Sequence, residues 1–189
     1  MKVAVVAGAP ALLAQYAGRV DPIAEVREAC LAAVGWLCAD ADAVRVVARP
    51  ADQAERAHGI EVGYQERVAR ELLAGFAGTV EVVTPEAFVL DARPTLLVAD
   101  GSARRGEKAP GHLDERSFAV DEAIERSLKA GDPTDLALLD LTLAEELLIA
   151  GAPALRRLGE LDPQVRSAEL DYAGDPFGVR YWVARWEIG

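Results

Sequence analysis

A chain of 189 residues, 51% of them hydrophobic and only 6% aromatic, is long enough to bury a full core without disulfides or metals and too apolar to stay unfolded. Its formal net charge of −11 argues against non-specific binding to nucleic acid or to an anionic membrane surface, since both need a basic face. No run approaches the roughly 20 apolar residues of a membrane span, so neither nucleic acid nor membrane is expected as a partner.

Residues 3–7 form a short, wholly apolar run that ends in Gly8-Ala9-Pro10. This predicts a buried central strand feeding a loop at its carboxyl end. The run is too short for the apolar region of a signal peptide, and no small-residue cleavage pattern follows it. Asp21-Pro22 reads as an N-cap with proline in the first helical position. Ile23, Val26, Cys30, Val34 and Leu37 follow at three- and four-residue steps, the mark of an amphipathic helix. Cys30 and Cys38 would then lie about 12 Å apart along that helix, too far for a disulfide. Both read as small buried hydrophobes of a cytoplasmic protein.

Residues 43–48 predict a second buried strand, stopped by Arg49-Pro50. The stretch 51–61 has no clear period and reads as a loop. Tyr64, Val68, Leu72 and Phe76 repeat every four residues and mark the next helix. Residues 79–83 and 95–99 predict a third and a fourth strand. Strands alternating with helices predict an α/β fold: a mostly parallel sheet with helices on both faces.

Residues 100–116 read as a long polar loop. Val120, Ile124 and Leu128 define a helix ending at Gly131, Asp132-Pro133 opens another, and Thr142-Leu143-Ala144-Glu145 fits a capping box for a third. Ala168, Leu170 and Tyr172 alternate, Gly174-Asp175-Pro176-Phe177-Gly178 turns the chain, and residues 179–186 alternate again, predicting a β-hairpin. No repeat, linker or low-complexity tract divides the chain, so residues 1–189 are expected to form one domain.

In an open α/β sheet, ligands bind beyond the carboxyl ends of the strands. Three segments should meet there: residues 8–12, 49–53 and 100–108. The last reads Asp100-Gly101-Ser102-Ala103-Arg104-Arg105-Gly106-Glu107-Lys108. Three cations in five residues of an acidic protein can hold a carboxylate or a phosphate. They can equally be a solvated loop whose arginines pair with Asp114, Glu115 or Asp121. Asp100, Ser102, Arg104, Arg105 and Lys108 are therefore the candidate ligand-binding residues, with a small anion as the expected ligand. Ser102 lacks the strand-turn-helix setting of a nucleophile and reads better as a turn residue. His58 and His112 have no metal-ligand spacing with a nearby Cys, Asp or Glu, and Gly8-Ala9-Pro10 has too few glycines for a nucleotide fingerprint. No metal-binding residue and no catalytic residue is assigned from these patterns.

The segment from Asp100 through Ala109-Pro110-Gly111-His112-Leu113-Asp114-Glu115-Arg116 resembles an actinobacterial family of class III extradiol ring-cleavage dioxygenase-like proteins, akin to one subunit of those enzymes. Ala130-Gly131-Asp132-Pro133, Ala144-Glu145-Glu146-Leu147-Leu148-Ile149-Ala150-Gly151 and the C-terminal hairpin are similar to the same family. The resemblance covers most of the chain from Thr95 onward and, more weakly, the first strand and helix. It implies a central parallel or mixed sheet flanked by helices and closed by the hairpin.

The wider superfamily, which includes the Memo-like proteins, holds a non-haem Fe(II) with two histidines and a glutamate, and a further histidine serves as acid/base. The matching positions here read Ala9, Arg49-Pro50-Ala51, the Ala103 that ends Asp100-Gly101-Ser102-Ala103, and Ala152-Pro153 after Ala150-Gly151. The resemblance thus implies a degenerate member that needs no iron and cleaves no ring, keeping the pocket for a small anionic ligand or a protein partner. Three alternatives stay open. His58, His112 and Asp100 could rebuild a metal site for a divergent dioxygenase. Asp100 and Lys108 could perform metal-free acid/base catalysis on a small aromatic or carboxylate substrate. The chain could also act as a structural component of a homodimer or a hetero-oligomer.

Overall fold

The computed structural model describes residues 1–16 and 21–189. Six strands, Lys2–Val6 (β1), Ala43–Val47 (β2), Thr79–Val83 (β3), Thr95–Val98 (β4), Val165–Gly174 (β5) and Tyr181–Ile188 (β6), form one sheet in the order β3-β2-β4-β1-β6-β5. The first four pair in parallel, whereas β6 runs antiparallel to β1 and β5 antiparallel to β6. The fold is therefore α/β with a mixed sheet and a C-terminal hairpin. After their first residues, Lys2 and Thr95, strands β1 and β4 read as unbroken apolar runs because both of their faces are covered. Every residue of β4 is fully buried, whereas β3, at one edge, leaves Thr79 and Glu81 exposed.

Alternation along each strand divides the core in two. Ala4, Val6, Val46 and Val98 face Ala24–Cys38 (α1) and Tyr64–Leu72 (α3) through Val26, Cys30, Leu37 and Val68. Val3, Val5 and Leu97 face the opposite layer, made by Arg116–Ala130 (α4), Thr134–Ala137 (α5), Leu141–Glu146 (α6) and Ala152–Glu160 (α7). Trp182 and Trp186 of β6 are the largest fully buried side chains of that layer. The indole N–H of Trp186 donates to the Leu128 carbonyl at 2.7 Å, so its one polar atom enters the core with a partner.

Several boundaries differ from the sequence reading. Helix α1 begins at Ala24, with no side-chain cap at Ile23. Asp21 instead accepts from the Ile23 amide at 3.1 Å and pairs with Arg27 at 2.6 Å. Arg27 in turn holds the carbonyls of Leu12 and Ala11, each at 2.8 Å. The loop expected over 51–61 contains a short helix, Gln53–Ala57 (α2). The cap of α6 is Asp140, which accepts from the amides of Thr142 and Leu143, so that helix starts earlier than a capping box at Thr142 would place it. Gly131 ends α4 with φ +68°, the left-handed cap expected of a glycine there. Helix α7 has no counterpart in the sequence reading. Among the described residues, no helix is long and apolar enough to cross a membrane.

Candidate functional site

Strands β1, β2 and β4 point their carboxyl ends the same way, and β4 lies between the other two. The chain therefore leaves β1 and returns at β2 across an intervening strand, which opens a crevice at the strand ends. Strand β6 runs the other way, so its first residue, Tyr181, arrives at the same end and bridges to Asp100. Around that bridge, the Gly101 amide donates to the Arg180 carbonyl at 2.8 Å and the Arg180 amide to the Ser102 carbonyl at 3.0 Å. From the other layer, the link between α6 and α7 brings the Ala150 carbonyl to within 2.7 Å of the Asp100 amide. This approach requires Gly151, whose φ is +102° and whose missing Cβ would stand 2.6 Å from the Ala99 Cα.

The result is a pocket of about 580 Å³ at the strand ends. Pro10, Leu148, Ile149 and Val179 supply apolar wall, while Arg49, Tyr64, Asp100 and Tyr181 supply most of its polar groups. Asp52 and Glu145 also line it. Leu148 holds a left-handed backbone, φ +55°, a costly conformation for a leucine. That conformation places a half-exposed apolar side chain on the pocket wall.

Asp100 is the central group. It is 5% exposed, and its Oδ1 accepts from the Gly8 amide at 2.6 Å. Its Oδ2 has no hydrogen-bond partner among the described residues. Burial pushes its carboxyl up to about 7, with only the Gly8 N–H opposing; no cation among the described residues helps to hold the charge. Gly8 is needed here, because a Cβ would lie 3.0 Å from Oδ2 and 3.1 Å from the Val98 Cγ1. Burial also raises the hydroxyls of Tyr64 and Tyr181, and the Asp100 charge raises both further. Both phenols thus remain protonated donors at neutral pH. Arg49 stacks over Tyr64, 5.5 Å from the ring centre, and its guanidinium faces Asp52 and Glu55, each at 3.2 Å. A buried carboxyl that titrates near neutrality, beside two phenols and an apolar wall, can bind a polar head group and exchange a proton with it.

Of the five candidate residues, Asp100 alone lines the pocket. Ser102 is fully buried: its hydroxyl donates to the Leu147 carbonyl at 2.7 Å and its amide to Asp121 at 2.9 Å. Arg105 bridges Asp121 at 3.0 Å and Asp175 at 2.9 Å, and lies over the Phe118 ring at 4.5 Å. Burial raises the Asp121 carboxyl, while the Ser102 amide and Arg105 oppose that rise. The pairing of a loop arginine with Asp121 is the solvated-loop alternative in a much drier form. Arg104 is half-buried, and its Nε has no partner among the described residues. Lys108 is exposed.

The sequence reading assigned no role to Tyr64, Tyr181 or Leu148. Tyr64 was absorbed into the helical period of α3 and Tyr181 into the alternation of β6. Arg49 lies in one of the segments expected at the strand ends, yet nothing in its local pattern marks it.

The iron centre implied by the resemblance can be tested against these residues. Two histidines and a carboxylate must converge on open coordination positions. Ala9 is buried where the first ligand would stand, and Ala103 lines the pocket beside Asp100. His58 and His112 are both exposed and line no part of this pocket. Among the described residues, no group of three or more His, Cys, Asp or Glu is placed to hold a metal. The donor set around the pocket does not fit that centre. No family model matches the chain, and no curated protein matches it.

Proposed function

We propose that this chain is a class III extradiol dioxygenase-like domain that has left iron chemistry behind and binds a small organic molecule in its strand-end pocket. The observation that carries this reading is the convergence of Asp100, Tyr64 and Tyr181 on a pocket whose metal-ligand positions hold alanine or arginine. A structural role alone does not explain why a carboxyl is kept buried with no cation beside it among the described residues, since that costs stability.

Two measurements test the reading together. Protein loaded anaerobically with Fe(II) should retain no stoichiometric metal and open no catechol ring. A thermal-shift screen of small amines, carboxylates and alcohols should find compounds that stabilise the protein, and Leu148→Arg, which obstructs the pocket, should abolish their effect. Iron retained at one per chain, lost on mutating His58 or His112 and accompanied by ring cleavage, would overturn it. A second reading keeps the anionic ligand and moves it to Arg104, on the strength of the buried, unpartnered Nε. Phosphate or carboxylate binding that is lost in Arg104→Ala and kept in Asp100→Asn would support this second site.

A further inference from the structure

We infer that the strand-end pocket takes a small organic ammonium ion, its charged nitrogen held by Asp100 between the rings of Tyr64 and Tyr181 and its hydrocarbon part against Leu148, Ile149 and Val179. This rests on the pocket being a binding site, and it names the chemical class of the ligand.

The charges on the pocket wall favour a cation. Among the described residues, three carboxylates line it, Asp52, Asp100 and Glu145, against one cation, Arg49. That arginine already faces Asp52 and Glu55. An anionic ligand in the same place would meet three carboxylates and compete with two of the contacts that hold Arg49. The loop cations that suggested an anion lie elsewhere, with Arg105 committed to Asp121 and Asp175.

Asp100 supplies the specific contact. Its Oδ1 is fixed by the Gly8 amide, which orients the carboxyl and leaves Oδ2 as the acceptor without a partner among the described residues. A carboxylate 5% exposed with no cation beside it among the described residues gains most from a ligand that brings one, because the desolvation cost is already met in the empty protein. Tyr64 and Tyr181 line the same pocket, and Tyr64 already stacks with a cation, the Arg49 guanidinium at 5.5 Å, the kind of ring contact that an ammonium can also make. The apolar wall then selects against small hydrated cations and for one carrying a hydrocarbon body.

Proton linkage gives the inference a signature that a neutral ligand lacks. The groups facing Asp100 are the Gly8 amide after β1, Tyr64 of α3, Tyr181 of β6 and the Cys30 thiol of α1. Arg49, Asp52 and Glu145 line the same pocket. Tyr64, Tyr181 and Cys30 are all raised by burial and do not titrate near neutrality. An ammonium ion therefore binds the ionised form of Asp100 and displaces its proton. Affinity should rise with pH through about 7 and level off above it.

The test is isothermal titration calorimetry of the full chain with three probe families: benzylamine and hexylamine, benzyl alcohol and hexanol, benzoate and hexanoate. The amines should bind, about tenfold more tightly at pH 8 than at pH 6, because the ionised fraction of a group near 7 changes by that factor. Titrations in two buffers of different ionisation enthalpy should show proton release at pH 6. Asp100→Asn should weaken amine binding by about tenfold or more, whereas Lys108→Ala should leave it unchanged. If the variant does not fold, proton release by the wild-type protein decides the question. Alcohols or carboxylates that bind in place of amines, and are blocked by Leu148→Arg, would overturn the ammonium assignment while leaving the pocket a binding site. Failure of every probe, together with no hit in the wider thermal-shift screen, would overturn both.

Discussion

Replacing Asp100 with asparagine should make the protein more stable at pH 8 and change little at pH 4.5. In the folded chain burial holds this carboxyl near 7, against an ordinary value of 3.8. Between those values the native state keeps a proton that the unfolded state has lost, so the contribution of Asp100 to stability falls as pH rises through that window. Above about 7 the loss is complete. The interval from 3.8 to about 7, at about 1.4 kcal/mol per pH unit, sets an upper bound of about 4 kcal/mol. Asparagine keeps the shape and an oxygen that can accept from the Gly8 amide. Its amide nitrogen takes the place of Oδ2, which has no hydrogen bond among the described residues to lose. Urea denaturation at the two pH values, followed by tryptophan fluorescence, reads the difference directly. A gain of about 2–4 kcal/mol at pH 8 that shrinks to about 1 kcal/mol or less at pH 4.5 is expected. A destabilised variant at pH 8, or an equal difference at both pH values, would refute the picture of a buried carboxylate without a cation.

Arg105→Ala should destabilise the fold by about 3 kcal/mol, because it leaves Asp121, 1% exposed, without its cation. The pair Arg105→Ala with Asp121→Asn should recover part of that loss in the same denaturation assay. Gly151→Ala should cost about 2–4 kcal/mol, from an unfavourable positive φ and from collision with the Ala99 backbone, and melting temperature with ligand titration should show pocket and fold failing together. Of the two cysteines, Cys38 should react with a thiol reagent in the native protein and Cys30 should not. Cys30 is fully buried, with its thiol pushed up to about 12, so a titration should count one reactive thiol per native chain and two in denaturant.

Much of the fold could be read from the chain because its central strands are covered on both sides. Residues 3–7 and 96–99 are continuous apolar runs and 43–48 is broken only by Arg45, which reaches Asp91 at 2.7 Å; each becomes a largely buried strand. Asp100 was legible for the same reason: it follows the last of those runs, and strand ends are where ligands bind. Its neighbours in the pocket were not. Tyr64 comes from 36 positions upstream and Tyr181 from 81 downstream, and each sits in a pattern fully accounted for by core packing. The pairing of Arg105 with Asp121 crosses from a loop into α4, and no local spacing distinguishes that partner from Asp114 or Glu115. Helix α7 is harder to see because a glycine and a proline, Gly151 and Pro153, stand at its start. In the fold, the glycine is the residue before the helix and the proline sits in its first turn, where a missing N–H costs nothing.

Strand β6 lies between β1 and β5, and this has a consequence for the order in which the molecule is made. Strand β1 leaves the ribosome first, yet one of its two edges pairs only with residues 184–187. Until those emerge, the nascent chain carries an open strand edge, apolar after Lys2, of the kind that invites aggregation. The parallel half, β1 to β4, can assemble early, but Tyr181 and Val179 close the pocket only when the hairpin docks. A ligand seated there would therefore bind only the finished sheet, so its presence during synthesis or refolding should draw the chain through the last step and shorten the life of the open-edged intermediate.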